Sequence, residues 1–162
     1  MLAGQVLLNG DFEANNVATW DRMCPSNWTC SGGSSKISRC TDTTWGGGGC
    51  PSGLFYLAYQ AVPHSISQTL PASLPPRTYR LQFSARNRPS RIFGLVNVTV
   101  SFGGLDVFTV TPPRVWTTYE LLVTATSSAT VLKFSSAFYS GPIDVAMEFD
   151  NLILTGEFPS PY

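Results

Sequence analysis

The sequence predicts an all-β fold, a two-sheet antiparallel β-sandwich, on three observations. Apolar and polar residues alternate with a period of two from Tyr79 onward. Pro- and Gly-containing breaks separate the alternating runs roughly every 10–15 residues, the spacing of a sandwich. No run of about ten residues or more carries a helical period. Composition agrees: charged residues are only 12% of the chain, and Thr, Val, Phe and Tyr, which suit a pleated surface, are abundant.

The elements follow in order. Val6 to Leu8, Phe55 to Gln60 and Ser65 to Leu70 read as the early strands. Tyr79, Leu81, Phe83 and Ala85 then share one face against Arg80, Gln82, Ser84 and Arg86. Val96, Val98, Val100 and Phe102 repeat the pattern, and Tyr119, Leu121, Val123 and Ala125 oppose Glu120, Leu122 and Thr124. Leu132 and Phe134 point inward with Lys133 outward. In the last strand Val145, Met147 and Phe149 hold one phase while Leu152 and Leu154 hold the other. That one-residue slip predicts a bulge at Asp150-Asn151, which would re-aim the Asp150 carboxylate.

At 162 residues the chain predicts a single domain, 1–162. Residues 14–53 read as a loop-rich insertion carrying Gly46-Gly47-Gly48-Gly49 and all four cysteines, Cys24, Cys30, Cys40 and Cys50. The cysteine spacings do not match the short knuckles of zinc sites, so two disulfides are expected, with three pairings open. Asn27-Trp28-Thr29 and Asn97-Val98-Thr99 match the N-glycosylation sequon at Asn27 and Asn97. Together these favour an oxidising, extracellular or cell-surface setting.

Several function classes are disfavoured. The formal net charge is zero and no basic stripe is present, so nucleic acid is not an expected partner. No stretch approaches the roughly 18 apolar residues of a membrane span, and Met1 to Leu8 lacks the charged and apolar regions of a signal peptide. Either a signal has been removed ahead of Met1, or delivery takes another route, of which virion assembly is one. The only histidine, His64, has no evident nucleophile with a supporting acid, and phosphate-cradling motifs are absent; no enzymatic activity is expected. Asp144, Glu148 and Asp150 suit structure or metal better than glycosidase chemistry.

Asn9-Gly10-Asp11-Phe12-Glu13 near the start is answered by Phe149-Asp150-Asn151-Leu152 near the end. If the terminal segments lie side by side, carboxylates from both ends converge, and a hard cation such as calcium would fit among side-chain and carbonyl oxygens.

The same residues resemble galactose-binding-like jelly rolls, and carbohydrate-binding modules of the family 4, 9 and 22 type in particular. Besides the two acidic phrases, the resemblance runs through Trp28 with Ser31-Gly32-Gly33, Tyr56-Leu57-Ala58-Tyr59-Gln60, Ile66-Ser67-Gln68-Thr69-Leu70, Thr78 to Asn87, Trp116-Thr117-Thr118-Tyr119 and Thr124-Ala125-Thr126-Ser127. It implies a jelly-roll sandwich of about eight to ten strands, often with one structural Ca2+ near the chain ends. Carried over by position, Glu13 and Asp150 are the implied metal ligands, with Asp11 a third candidate and carbonyls near Asn9 and Gly10 completing the shell. It also implies a non-catalytic carbohydrate-binding module for recognition or attachment, with a glycan or glycoprotein surface as partner. The Cys- and Gly-rich insertion departs from the family pattern where such modules build part of their ligand surface.

Sugar recognition needs exposed aromatic faces and planar polar groups. Trp45, directly before the four glycines, and Trp28 are the candidate platforms, while Trp20 and Trp116 are expected to pack in the core or at an edge. Arg86 and Arg88, in a cluster with Asn87 and Arg91, can grip hydroxyls or a carboxylate, and Tyr56 shares a face with Ala58 and Gln60. Arg86 is expected to face solvent or cross a concave sheet face. The rival expectation is a structural or decoration protein of a larger assembly, such as a minor capsid or virion component, with neighbouring subunits as partners.

Overall fold

The computed structural model describes residues 6–70, 77–90, 94–125, 130–136 and 145–156. Arg91 and Asp144 lie outside the described residues. Within them run nine strands: β1 (Trp20–Asp21), β2 (Thr29–Arg39), β3 (Phe55–Thr69), β4 (Arg77–Asn87), β5 (Val98–Phe102), β6 (Leu105–Val110), β7 (Thr117–Ala125), β8 (Val131–Ser136) and β9 (Ala146–Gly156). All pairings are antiparallel, in the order β6-β5-β8-β3-β9-β4-β7, with β2 on the other flank of β3 and β1 beyond it. The fold is the all-β sandwich that the alternation predicts, in the jelly-roll form that the resemblance implies.

β3 divides the molecule into its two layers. Its first half, Leu57 to Gln60, pairs with β9, and its second half, His64 to Thr69, pairs with β8. The segments read from the sequence as two strands, 55–60 and 65–70, are therefore one strand that turns a corner between sheets. β2 follows the same corner through a register shift between Gly32 and Ser34. Gly32 has φ 71°, and a Cβ there would lie 2.3 Å from the Pro63 carbonyl oxygen, so only glycine lets the two backbones approach so closely.

Within the loop-rich segment 14–53 the 11-residue β2 is a strand that the sequence did not announce. Its sequence, Thr-Cys-Ser-Gly-Gly-Ser-Ser-Lys-Ile-Ser-Arg, places one aliphatic side chain, Ile37, in the core, so it shows no apolar alternation. Pairing with β3 along nearly its whole length, not propensity, makes it a strand.

The core lies between the layers. Ile37, Leu57, Tyr59, Leu81, Phe83, Ala85, Val98, Val100, Phe134, Met147, Phe149, Leu152 and Leu154 are buried in one continuous cluster, with Tyr119 and Leu121 packed on it. The expected bulge is present: Gln82 pairs with Ile153 but Ser84 pairs with Asp150, so Asn151 and Leu152 together oppose Phe83. Asn151 takes φ 54°, a left-handed conformation that Asn tolerates. The chain ends meet as expected, although Val6 to Leu8 makes isolated bonds and no ladder. The Val6 amide donates to the Leu154 carbonyl at 2.8 Å, and the Leu152 amide donates to the Gly10 carbonyl at 2.8 Å.

Candidate functional site

The face of the β2-β3-β9-β4-β7 layer that points away from the core carries an unusual polar row. Register aligns Lys36 with Ala58, Ala58 with Glu148, and Glu148 with Arg86 across four strands. Strand alternation sends Tyr56 and Ala58 to this face while Phe55, Leu57 and Tyr59 enter the core. Arg86 Nε donates to Glu148 Oε2, and both side chains are buried, Arg86 being 4% exposed.

A lid closes over this row. The Cys40–Cys50 disulfide ties the ends of the Gly-rich loop, and a second bond joins Cys24 to Cys30. The loop presents carbonyl oxygens downward: Arg86 Nη2 donates to Gly47 at 2.9 Å, Arg88 Nη2 to Thr44 at 2.7 Å, and Trp116 Nε1 to Gly49 at 3.0 Å. Trp45 has two cations against its ring, Lys36 Nζ at 4.4 Å and the Arg88 guanidinium at 4.6 Å from its centre. The Arg86 guanidinium sits 4.4 Å from the Trp116 ring centre, and Trp116 meets Tyr56 edge-on. Trp20 stacks edge-on against Trp45 at 5.6 Å and remains 39% exposed. Burial pushes the Glu148 carboxyl up to about 7 against the lowering pull of Arg86 and Arg88. Burial and then Glu148 push the Tyr56 phenol up to about 12.

The expected exposure of the aromatic platforms is corrected here. Trp45 is 5% and Trp28 7% exposed; Trp28 packs on Phe12 and donates from Nε1 to the Asn9 carbonyl. Tyr56 is buried too, and Arg86 and Arg88 lie beneath the loop; of the two expectations for Arg86, the position across the sheet face holds and exposure to solvent does not. Sequence reading missed the lid because no local pattern says which face a Gly-rich loop will cover. Trp20, expected in the core or at an edge, lies at the edge with its indole part-exposed; its two-residue strand, pairing Trp20 with Ser38, is too short to show a period. Lys36 was also missed, hidden in a Ser-rich run.

The terminal carboxylates form a second cluster. Glu13 Oε1 accepts from the Leu54 and Phe55 amides at 2.7 and 2.9 Å, and Asp150 Oδ2 accepts from the Ser52 amide at 2.9 Å. Asp11 Oδ1 accepts from the Glu13 amide at 3.3 Å. Burial pushes the Asp150 carboxyl up to about 7; its amide bonds to Ser52 and Asn151 oppose this, while Glu13 and Asp11 add repulsion. A cavity beside the cluster is lined by Asn9, Gly10, Asp11, Ser52 and Asn151. Among the described residues no group of three or more His, Cys, Asp or Glu is gathered as a metal cluster. The bonds these three carboxylates accept among the described residues all come from backbone amides, those of Glu13, Ser52, Leu54, Phe55 and Asn151.

The remaining candidates are dispersed. His64 is buried, stacked on Tyr59, with Nε2 2.8 Å from Ser35 Oγ, and burial lowers it to about 4. Asn27 and Asn97 are exposed. No helix among the described residues is long and apolar enough to cross a membrane.

No family model and no curated protein matches the chain. Solved structures do share its architecture. TmCBM61 in complex with beta-1,4-galactotriose aligns over 96% of this chain and 100% of its own length, with TM-score 0.65 and 15% identity. A CBM4 structure aligns over 93% of this chain and 99% of its own, with TM-score 0.54 and 16% identity. The enzymatically active domain of bacteriophage CBA120 tailspike protein 4 aligns over 94% of this chain but only 21% of its own, with TM-score 0.61 and 16% identity. The chain thus shares the jelly-roll β-sandwich fold of these structures. At these identities the likeness concerns the fold.

Proposed function

We propose that this chain is a non-catalytic carbohydrate-binding module that serves recognition or attachment at an extracellular or cell surface. The observation that carries the reading is the aromatic and cationic face of the β2-β3-β9-β4-β7 layer, where Trp20 keeps an exposed indole above Trp45 and Trp116 flanks the loop. Sugar rings stack their C–H faces on such indoles. TmCBM61 and its bound galactotriose supply a fold-level precedent only. The two disulfides fit an oxidising compartment. The test is affinity electrophoresis of the native and Trp20→Ala proteins through soluble polysaccharides. Retardation of the native protein, weakened in the variant, supports the reading, and free migration through every polysaccharide removes it.

Structural Ca2+ belongs to this proposal. Glu13 and Asp150 would hold it, with Asp11 and nearby carbonyls contributing, and the ion would offset the burial, and the smaller repulsion from Glu13 and Asp11, that raise Asp150. Its role is to pin the two chain ends, and it supplies no chemistry. An unchanged melting temperature in EDTA would remove calcium from the account.

A second reading is an assembly component, such as a minor capsid or virion protein. Leu105 and Val107 on β6 and Leu122 on β7, the two ends of the strand order, are exposed apolar side chains of the kind neighbouring subunits cover. Light scattering that shows only monomers at high concentration would count against it.

A further inference from the structure

Beneath the loop closed by Cys40–Cys50, the two arginines spend their outward N–H groups on carbonyl oxygens of Thr44 and Gly47. Lys36 stands on the same face, donating to Ser34 Oγ and Gln60 Oε1. Several buried polar atoms on this face have no hydrogen-bond partner, among them the donor Trp45 Nε1, the acceptor Glu148 Oε1 and the Tyr56 hydroxyl. Buried groups of either kind are costly to leave unmet. An occupant that answers both must offer acceptor oxygens to the guanidinium and indole N–H groups and a hydroxyl to the carboxylate.

We propose that the Lys36-Arg86-Arg88 face beneath the 41–49 loop is a site for the acidic group of an anionic glycan, a sugar carboxylate or sulfate. The proposal rests on the glycan-binding reading and names its ligand class. The loop carbonyls occupy the positions that the oxygens of the acidic group would take. An anionic oxygen bonds guanidinium about twice as strongly as a neutral carbonyl does, and it can do so bidentately. A carboxylate or sulfate therefore displaces Gly47 and Thr44 oxygens, where a neutral hydroxyl has no such advantage. Sugar hydroxyls beside the acidic group supply the donor that Glu148 Oε1 lacks. Trp20 and Trp116 at the rim then take the neighbouring residues of the polymer. The disulfide anchors both ends of the loop, so the loop lifts as a tethered flap.

The test compares the native protein in affinity electrophoresis through polygalacturonate, a sulfated galactan and a neutral galactan. Retardation by polygalacturonate alone assigns a carboxylate, by the sulfated polymer alone a sulfate, and by both an anion of either kind. Binding must weaken steeply with added salt, because contacts between opposite charges are screened. Equal retardation by the neutral polymer overturns the anionic inference and leaves the glycan reading standing; no retardation by any polymer overturns both. Arg88→Gln should weaken binding to the acidic polymer by about tenfold, the size of one lost charge-assisted bond. Should that variant fail to fold, quenching of native tryptophan fluorescence by free galacturonate or galactose sulfate replaces it. No spectral change on saturation with either would count against the site, since Trp45 lies over Arg88.

Discussion

Glu13 and Asp150, 137 positions apart, hold adjacent parts of one short segment, Glu13 gripping the amides of Leu54 and Phe55 while Asp150 grips that of Ser52. The segment leads out of the Cys40–Cys50 loop into β3, so both chain ends help set where the loop begins its return. Removing the Glu13 carboxylate leaves two amides without their charged acceptor. Glu13→Ala should cost about 2 kcal/mol in urea unfolding, the scale of hydrogen bonds to a charged group. An unaltered midpoint would show that solvent replaces the carboxylate without loss.

The raised carboxyls of Asp150 and Glu148 predict an unusual pH profile. Each is about 7 in the folded chain against ordinary values of 3.8 and 4.5. Between those limits the folded state binds more protons than the unfolded one, so their contribution is full below about 4 and lost as pH rises through 7. His64 has the opposite sign: lowered to about 4, it contributes above 6.5 and loses that contribution as pH falls. Two carboxyls outweigh one imidazole, so the melting temperature in EDTA should fall from pH 5 to pH 8. Asp150→Asn should flatten that slope, and Ca2+ should do the same if it binds there. A profile that rises with pH in EDTA would contradict this account of the two sites.

Much of the architecture was legible because burial leaves a period in the sequence. β4, β7 and β9 each place bulky apolar residues at every second position, and even the Asp150-Asn151 slip shows as a change of phase. β2 was illegible because its partner strand, not its side chains, makes it a strand. The candidate site was half legible: the carboxylates at both ends announced their meeting, and Arg86, Arg88 and Tyr56 do share one face. Their covering was not legible. Whether a loop lies over a face depends on long-range bonds such as Arg86 to Gly47, which leave no local pattern.

The buried ion pair of Arg86 and Glu148 predicts strong asymmetry between single and paired substitutions. Removing one partner strands a charge inside the fold, at a cost of roughly 3–5 kcal/mol. Arg86→Met should therefore be severely destabilising by chemical denaturation. Arg86→Met with Glu148→Leu should recover much of the loss, since neither charge then remains buried unpaired. Additive losses in the double variant would mean that the two side chains act independently, against the contact between them.

Trp20 gives the sharpest separation between recognition and folding. It is attached to the molecule through a two-residue strand and an edge-on contact with Trp45, and over a third of its surface meets solvent. Its truncation therefore removes little core packing, and Trp20→Ala should cost about 1 kcal/mol or less. An exposed indole lying against a sugar face contributes on the order of 1 kcal/mol beyond its area, so affinity for a retained glycan should fall about tenfold once that lost area is included. Trp28→Ala should do the reverse, lowering the melting temperature sharply because it removes the contact with Phe12 and the bond to Asn9. Measured side by side, the two variants should move different observables, affinity for Trp20 and stability for Trp28. If both moved stability alone, the rim of the loop would be packing, and glycan contact would have to be sought elsewhere on the molecule.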